Sequence, residues 1–232
     1  SIGELGWVGE THNRPNTKTP TIVSTPIPLF EMYAQPRISR ILLNDSYVDI
    51  TSWLTKEVAN AFTITETVTF FNGNGISSPL GILNTNPGTA LEKVLTRNVG
   101  YAVYNDIVNL VNALDLKYTN NSVFISSIEF GNILRTFVNP SGTSLVYNID
   151  GQDMMFGFPI YYDYTELYPG DTTGDIPLAM GNFKQGYTIY DCSNMNFIRD
   201  DITEKQWVKF YTSKRIGASV TDSNSIKLLK IK

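Results

Sequence analysis

Residues 49–73 read DITSWLTKEVANAFTITETVTFFNG, and this stretch decides the architecture. Asp49 is placed to cap a helix, because a carboxylate accepts from the first free backbone N–H groups. Ile50, Leu54, Val58, Ala61, Val68 and Phe71 recur about every three and a half residues, until Asn72-Gly73 stops the run. Trp53, Phe62 and Ile64 widen the apolar stripe. The pattern predicts a helix over 49–71, roughly 34 Å long at ~1.5 Å per residue. That is a strut, about twice the length of an ordinary globular helix. Its Thr, Val and Ile residues weaken intrinsic helicity, so packing must hold it. The residues expected to make its core are Trp53, Leu54, Val58, Phe62 and Phe71. If buried, Trp53 and Phe62 should each cost ~3–5 kcal/mol on replacement by Ala.

Outward from the strut, Leu29–Leu43 (LFEMYAQPRISRILL) carries a short helical pattern, bent or restarted at Pro36. Before it, residues 3–28 are rich in Gly, Thr, Asn and Pro, with Pro15, Pro20, Pro26 and Pro28 favouring extended backbone. Such a segment buries little by itself. It either projects across a neighbour or frays as a terminus. After the strut come a helix near Val103–Leu114, a short buried strand at Ser122–Ser126 and a helix from about Ser127 to Phe137. Phe156–Tyr162 reads as extended, then a Gly/Asp/Pro/Thr loop runs to Pro177. The end is strand-rich: Leu178–Asn182, Gly186–Asp191, Asn196–Arg199, Gln206–Lys214 and Ser225–Ile231. The class is α+β.

The chain has 232 residues, 42% of them hydrophobic and 12% aromatic, which excludes a disordered protein. No run approaches the ~18–20 apolar residues of a membrane-spanning helix. One cysteine, Cys192, permits no internal disulfide, and one histidine, His12, permits no multi-histidine metal centre. The net charge of −4 is uneven. From Lys205 to Lys232 there are seven Lys/Arg against Asp222 alone, leaving eleven basic and twenty-one acidic residues before that point. A basic field of the kind that holds nucleic acid is absent. The asymmetry fits either charges pointing to solvent from terminal strands or self-association, basic end to acidic face.

Chemistry-bearing constellations are weak. His12 sits in the Pro-rich arm, a poor place for a positioned base. Cys192 has no second thiol or imidazole nearby in sequence. Asp200-Asp201 and Asp150/Asp153 are close in sequence but read as turn or cap residues, not as carboxylates facing each other across a cleft. Gly170–Asp175 (GDTTGD) lacks the spacing and closing Glu of a calcium loop, and Asn72–Gly75 lacks a phosphate-loop signature. No catalytic site, cofactor or metal is expected. Tyr161, Tyr162, Tyr164 and Tyr168 admit a carbohydrate-binding module as a reading from another class, against ordinary strand and core packing.

A resemblance emerges from longer phrases. The arm reads GETHNRPNTKTP, and Pro26–Arg37 reads PIPLFEMYAQPR. Phe70–Gly75 (FFNGNG) is followed by Pro79–Leu83 (PLGIL). Further on, Phe156–Ile160 (FGFPI), Met180–Phe183 (MGNF), Val208–Gly217 (VKFYTSKRIG) and Ser225–Lys230 (SIKLLK) follow in the same order. Together they resemble the major capsid protein of tailed bacteriophages, with the Hong Kong 97 fold, over nearly the whole chain.

The resemblance implies residues 1–28 as the returning half of an extended loop lying over a neighbouring subunit. It implies 29–88 and 187–219 as a peripheral domain with the strut as spine helix, and 89–186 with 220–232 as an axial domain at five-fold and six-fold axes. It also implies that the chain, starting at Ser1, is an N-terminally truncated piece. The expected partners are copies of itself in pentamers and hexamers, portal, scaffold or decoration proteins, and packaged double-stranded DNA held without sequence specificity; no membrane is implied. The expected location is the virion, assembled in bacterial cytoplasm, of a phage, prophage or gene transfer agent. Arg14, Lys18, Lys214 and Arg215 are the expected inter-subunit contacts. Some family members cross-link neighbours through Lys, Asn and Glu. Here Arg14, Gln206 and Ser213 fall at those positions, and a guanidinium is not an amine nucleophile, so no enzymatic step is implied. An encapsulin-type shell enclosing protein cargo is the rival with the same fold.

Overall fold

The computed structural model describes residues 6–7, 16, 26–84, 91–163 and 166–232, without the side chains of Ser193 and Asn194. Residues 50–72 form one helix, α2 (Ile50–Asn72). Asp49 caps it, its Oδ1 accepting from Thr51 N–H at 3.1 Å and Ser52 N–H at 3.2 Å. Thr55, Thr63, Thr65, Thr67 and Thr69 each donate a side-chain hydrogen bond to the carbonyl four residues back, at 2.7–3.0 Å. This satisfies the hydroxyls without drawing them into the core.

The segment before α2 corrects the helical expectation for 29–43. It holds strand β1 (Phe30–Ala34), strand β2 (Arg37–Ser39) and only a short helix α1 (Arg40–Asp45). Phe30, Met32 and Ala34 alternate with the exposed Glu31 and Tyr33, a period of two rather than 3.6. Both strands lie in one register along the same edge of β10 (Trp207–Val220): Phe30 opposes Ile216 and Arg37 opposes Lys209. Between them Pro36 supplies its carbonyl to Phe210 N–H at 2.9 Å, a role that does not need the N–H it lacks.

On the other edge of β10 runs β9 (Tyr187–Asp200), one strand where the sequence suggested two. Asn196 opposes Ser213 and Cys192 opposes Arg215, so β9 holds extra residues in a bulge that separates its halves. The α2 side of this sheet carries Ile38, Val208 and Phe210, which bury Leu54 and are flanked by Leu43, Ile50 and Val58.

The second sheet has seven strands in the order β3-β11-β8-β4-β7-β6-β5. These are β3 (Glu92–Leu95), β4 (Val123–Ser127), β5 (Val146–Ile149), β6 (Gln152–Met155), β7 (Phe158–Asp163), β8 (Leu178–Gly181) and β11 (Ile226–Lys230). On one face α3 (Tyr104–Asn112) and α4 (Ile128–Thr136) bring Ile107, Leu110, Phe130 and Leu134 onto Phe124, Ile160, Met180 and Leu229. On the other face Ile82, Leu83, Leu91, Leu167 and Ile176 cover Ala179, Ile226 and Leu228, and Phe71 packs against the same cluster. The last turn of α2 therefore reaches the core of the second sheet.

That junction is tight. Ile82 N–H donates to Phe70 O at 2.8 Å, Leu83 N–H to Phe71 O at 2.9 Å and Gly81 N–H to Gly73 O at 2.9 Å. These bonds satisfy carbonyls that a helix end otherwise leaves to solvent. A Cβ on Gly73 would lie 1.9 Å from Pro79 O, and one on Gly81 2.4 Å from Phe71 O, so both positions exclude a side chain.

Trp53 departs from its expected place in the core. It is 56% exposed, whereas Leu54 and Phe62 are 8% and 5% exposed. Leu54 packs on the sheet, and Trp53 lies a hundred degrees round the helix from it, about one residue's rotation. Phe62→Ala is expected to lower stability by ~3–5 kcal/mol, whereas Trp53→Ala should stay within ~0.5 kcal/mol in the isolated chain; denaturant titration of both variants checks the contrast.

Candidate assembly surfaces

The outer flank of α2 carries Trp53, Ile64 and Val68, which are 56%, 65% and 40% exposed. Ile64 and Val68 are one turn apart, and Trp53 lies three turns before them on the same flank, with the polar Glu57 and Asn60 between. β9 adds Ile189, Tyr190, Phe197 and Ile198, all about half exposed, along a strand whose outer edge pairs with nothing described. An edge unpaired among the described residues and exposed apolar side chains are features on which another chain can dock. The far edge of the second sheet repeats the theme, with Tyr147 and Ile149 exposed on β5.

Charge is distributed differently from the sequence expectation. Lys214, expected to contact another subunit, is turned inward: its ammonium lies 2.7 Å from Glu66 on α2 and 3.0 Å from Asp191 on β9. Its side chain is only 14% exposed. Burial pulls the ammonium pKa down, but the hydrogen bonds to both carboxylates outweigh it and hold the pKa above the ordinary lysine value. Lys209 pairs with Glu204, and Lys227, itself buried, pairs with Glu92. The basic C-terminal stretch thus neutralises acids of its own chain and offers a neighbour less charge than its composition suggests. Arg215 points the other way: it is exposed and pairs with no carboxylate among the described residues. Arg14 and Lys18 lie outside the described residues, as does His12.

A second polar knot fastens the second sheet to α4. Asp153 accepts from Arg135 Nη2 at 2.7 Å, Tyr162 Oη at 2.7 Å and Asn148 Nδ2 at 2.9 Å. The hydrogen bonds from Asn148, Tyr162 and Arg135 hold its carboxyl at about 2. Burial and the Asp153 carboxylate push the Tyr162 hydroxyl up to about 12.

The carboxylates singled out in sequence have local work. Asp200 accepts from Ile202 and Thr203 N–H at 2.9 and 3.0 Å, and Asp175 accepts from Gly170 and Thr172 N–H. Asp150 sits at φ 51° in the Asp150-Gly151 turn joining β5 to β6. Cys192 is half-buried and stands alone at the bulge. Among the described residues no group of acids, His and Cys is placed to hold a metal ion, and no helix is long and apolar enough to cross a membrane. Tyr161 and Tyr168 are about half exposed, Tyr162 belongs to the Asp153 knot and Tyr164 lies outside the described residues, so no aromatic platform is assembled among the described residues.

The sequence profile of the phage capsid family matches residues 1–231. The chain belongs to the phage capsid family. Its backbone is similar to the capsid protein of an empty GTA particle computed with C5 symmetry, at TM-score 0.86 and 31% identity, covering 100% of this chain and 81% of that one. The capsid of the native GTA particle gives TM-score 0.81 and 30% identity over 100% of this chain and 82% of that one. A chain of Gordonia phage Cozz, at TM-score 0.67 and 14% identity over 99% of this chain and 78% of that one, shares the fold. No curated protein matches by sequence. The fold is therefore of the Hong Kong 97 type, and this capsid protein is a structural shell component.

Asp153 binds its proton more weakly folded than unfolded, so its contribution is complete above about pH 4 and is lost as pH falls towards about 2. Thermal melts of wild type should fall across that window, and Asp153→Asn should melt lower at neutral pH with a flatter acid limb.

Proposed function

We propose that this capsid protein closes, as many copies, into an icosahedral shell around packaged double-stranded DNA, in a phage, prophage or gene transfer agent. The observation that carries the reading is the likeness to GTA capsids over the full length of this chain at about one-third identity. Residues 29–88 with 187–219 act as the peripheral domain and 89–186 with 220–232 as the axial domain, gathered in pentamers and hexamers. Residues 1–28 serve as the returning half of the extended loop, with Arg14, Lys18 and Arg215 meeting neighbouring copies. Assembly in the bacterial cytoplasm, with portal, scaffold or decoration proteins as further partners, belongs to the same reading. The role is structural and non-enzymatic: the shell is held by burial between subunits, and the triad of Lys214, Glu66 and Asp191 keeps the spine and sheet of each tile rigid. A holo-encapsulin from Synechococcus elongatus has the same fold at TM-score 0.62 and 14% identity, covering 87% of this chain and 73% of that one. That level of likeness concerns the backbone alone.

Negative-stain microscopy of the expressed protein is expected to show closed shells, and those made with the host's packaging genes should contain nuclease-protected DNA. Shells filled with a protein cargo, or a dispersed monomer at high concentration, would replace this reading. Arg215→Glu should leave the melting temperature within about 2 °C and lower shell yield at low salt; unchanged yield would remove Arg215 from the contacts.

A further inference from the structure

Lys93, on β3, is a cation that the chain leaves without a counter-charge. Its side chain is half-buried and lines a cavity of about 310 Å³ between the end of α2 and the second sheet. Asn72, Asn84 and Tyr168 contribute polar groups to this cavity, and Leu83 and Ile176 contribute apolar surface. Lys209, Lys214 and Lys227 each meet a carboxylate, whereas Lys93 meets none among the described residues. The charge that acts on it is a second ammonium. Lys230, also half-buried, stands on the neighbouring strand β11, two residues beyond the Leu228 that opposes Lys93. Burial first, and then Lys230, pull the Lys93 ammonium below the ordinary lysine pKa. Acids close by in the fold are engaged elsewhere: Glu92 takes the ammonium of Lys227, and Glu166 accepts from Asn72 Nδ2 at 2.6 Å. Residues 85–90, which lead into β3, read TNPGTA and bring no charge.

We infer that this cavity binds a small phosphate monoester, with Lys93 contacting the phosphate and Lys230 adding a second positive charge beside it. Two ammonium groups held partly out of water without a carboxylate carry a desolvation cost that a bound anion offsets. A pair of cations suits a doubly charged anion better than a carboxylate, and a phosphate monoester carries about −1.5 to −2 at pH 7. The volume is that of a small-molecule pocket rather than of a bare ion site. Leu83, Ile176 and the ring of Tyr168 give the organic part of such an ester a surface to rest on. The site lies within one chain, so it is independent of the shell reading.

The test follows the phosphorus NMR line width of phenyl phosphate and of inorganic phosphate added to the full chain in chloride at fixed ionic strength, whether or not shells form. Saturable broadening of both is expected, about tenfold tighter for phenyl phosphate. Lys93→Gln should abolish it and Lys230→Gln should weaken it, while Lys56→Gln, an exposed lysine on α2, should leave it unchanged. Broadening that survives in Lys93→Gln, or none in wild type, overturns the inference. Equal affinity for the two probes, or displacement of phenyl phosphate by a short DNA duplex at the same phosphate concentration, overturns the assignment to a monoester. In chloride alone, Lys93→Gln should melt at or above the wild-type temperature, because an unanswered charge has been removed; a marked fall would show that Lys93 already has a partner and would likewise overturn the site.

Discussion

The contact on which this molecule most depends is the backbone-to-backbone approach of Gly73 and Gly81. A helix of 23 residues is useful in a structural shell component only if its direction is fixed relative to the body of the second sheet. Here the direction is set by hydrogen bonds from Gly81, Ile82 and Leu83 to the last carbonyls of α2, and Phe71 is buried just beyond them. A side chain at either glycine would push the two backbones apart by more than an ångström, and a small angular error at one end of a ~34 Å rod becomes several ångströms at the other. The junction has no freedom to accommodate that error, because buried main-chain carbonyls left without donors are costly.

Away from that junction α2 is held lightly. Only Leu54 and Phe62 are buried, and the next attachment to the sheet is ionic, through Glu66 and Lys214. Breaking a mostly buried pair by removing one partner is costly, because it strands the other charge, so the pair fixes position more than it adds stability. The helix's remaining apolar flank, Trp53, Ile64 and Val68, faces outward. A monomer designed for solubility would make those positions polar. In a family whose members build shells, exposed apolar positions of this kind carry burial energy that the isolated chain does not use.

The parts legible in sequence were those governed by local signals. The Asp49 cap, the 3.6-residue stripe and the Asn72-Gly73 stop delimit α2 to within a residue, and the same holds nearly as well for α3 and α4. The parts that were not legible depend on partners distant in sequence. Phe30–Ala34 carries an ambiguous pattern that β10 resolves into a strand, and Lys214 looks like a surface cation until Glu66 and Asp191 are brought to it from elements 148 and 23 residues away. Trp53 was misplaced because a wide apolar stripe does not say which of its flanks meets the sheet. The β5–β6 hairpin was missed although Asp150-Gly151, between two alternating runs, is a strong short-range hairpin signal.

The charge arithmetic carries a further consequence for how such tiles find one another. Seven cations near the C-terminus suggested long-range attraction between copies, yet the ammonium groups of Lys209, Lys214 and Lys227 are neutralised inside the chain. The four others, Lys205, Arg215, Lys230 and Lys232, act through a field screened beyond ~8–10 Å at physiological salt. The long-range charge available to steer copies together is thereby smaller than the composition suggests, and shape and apolar fit, which act only on contact, gain weight beside it. A chain that relies on such short-range forces needs a rigid frame to present them, and the glycine junction, the Lys214 triad and the Asp153 knot are the three places where this frame is stiffened by bonds that packing alone does not supply.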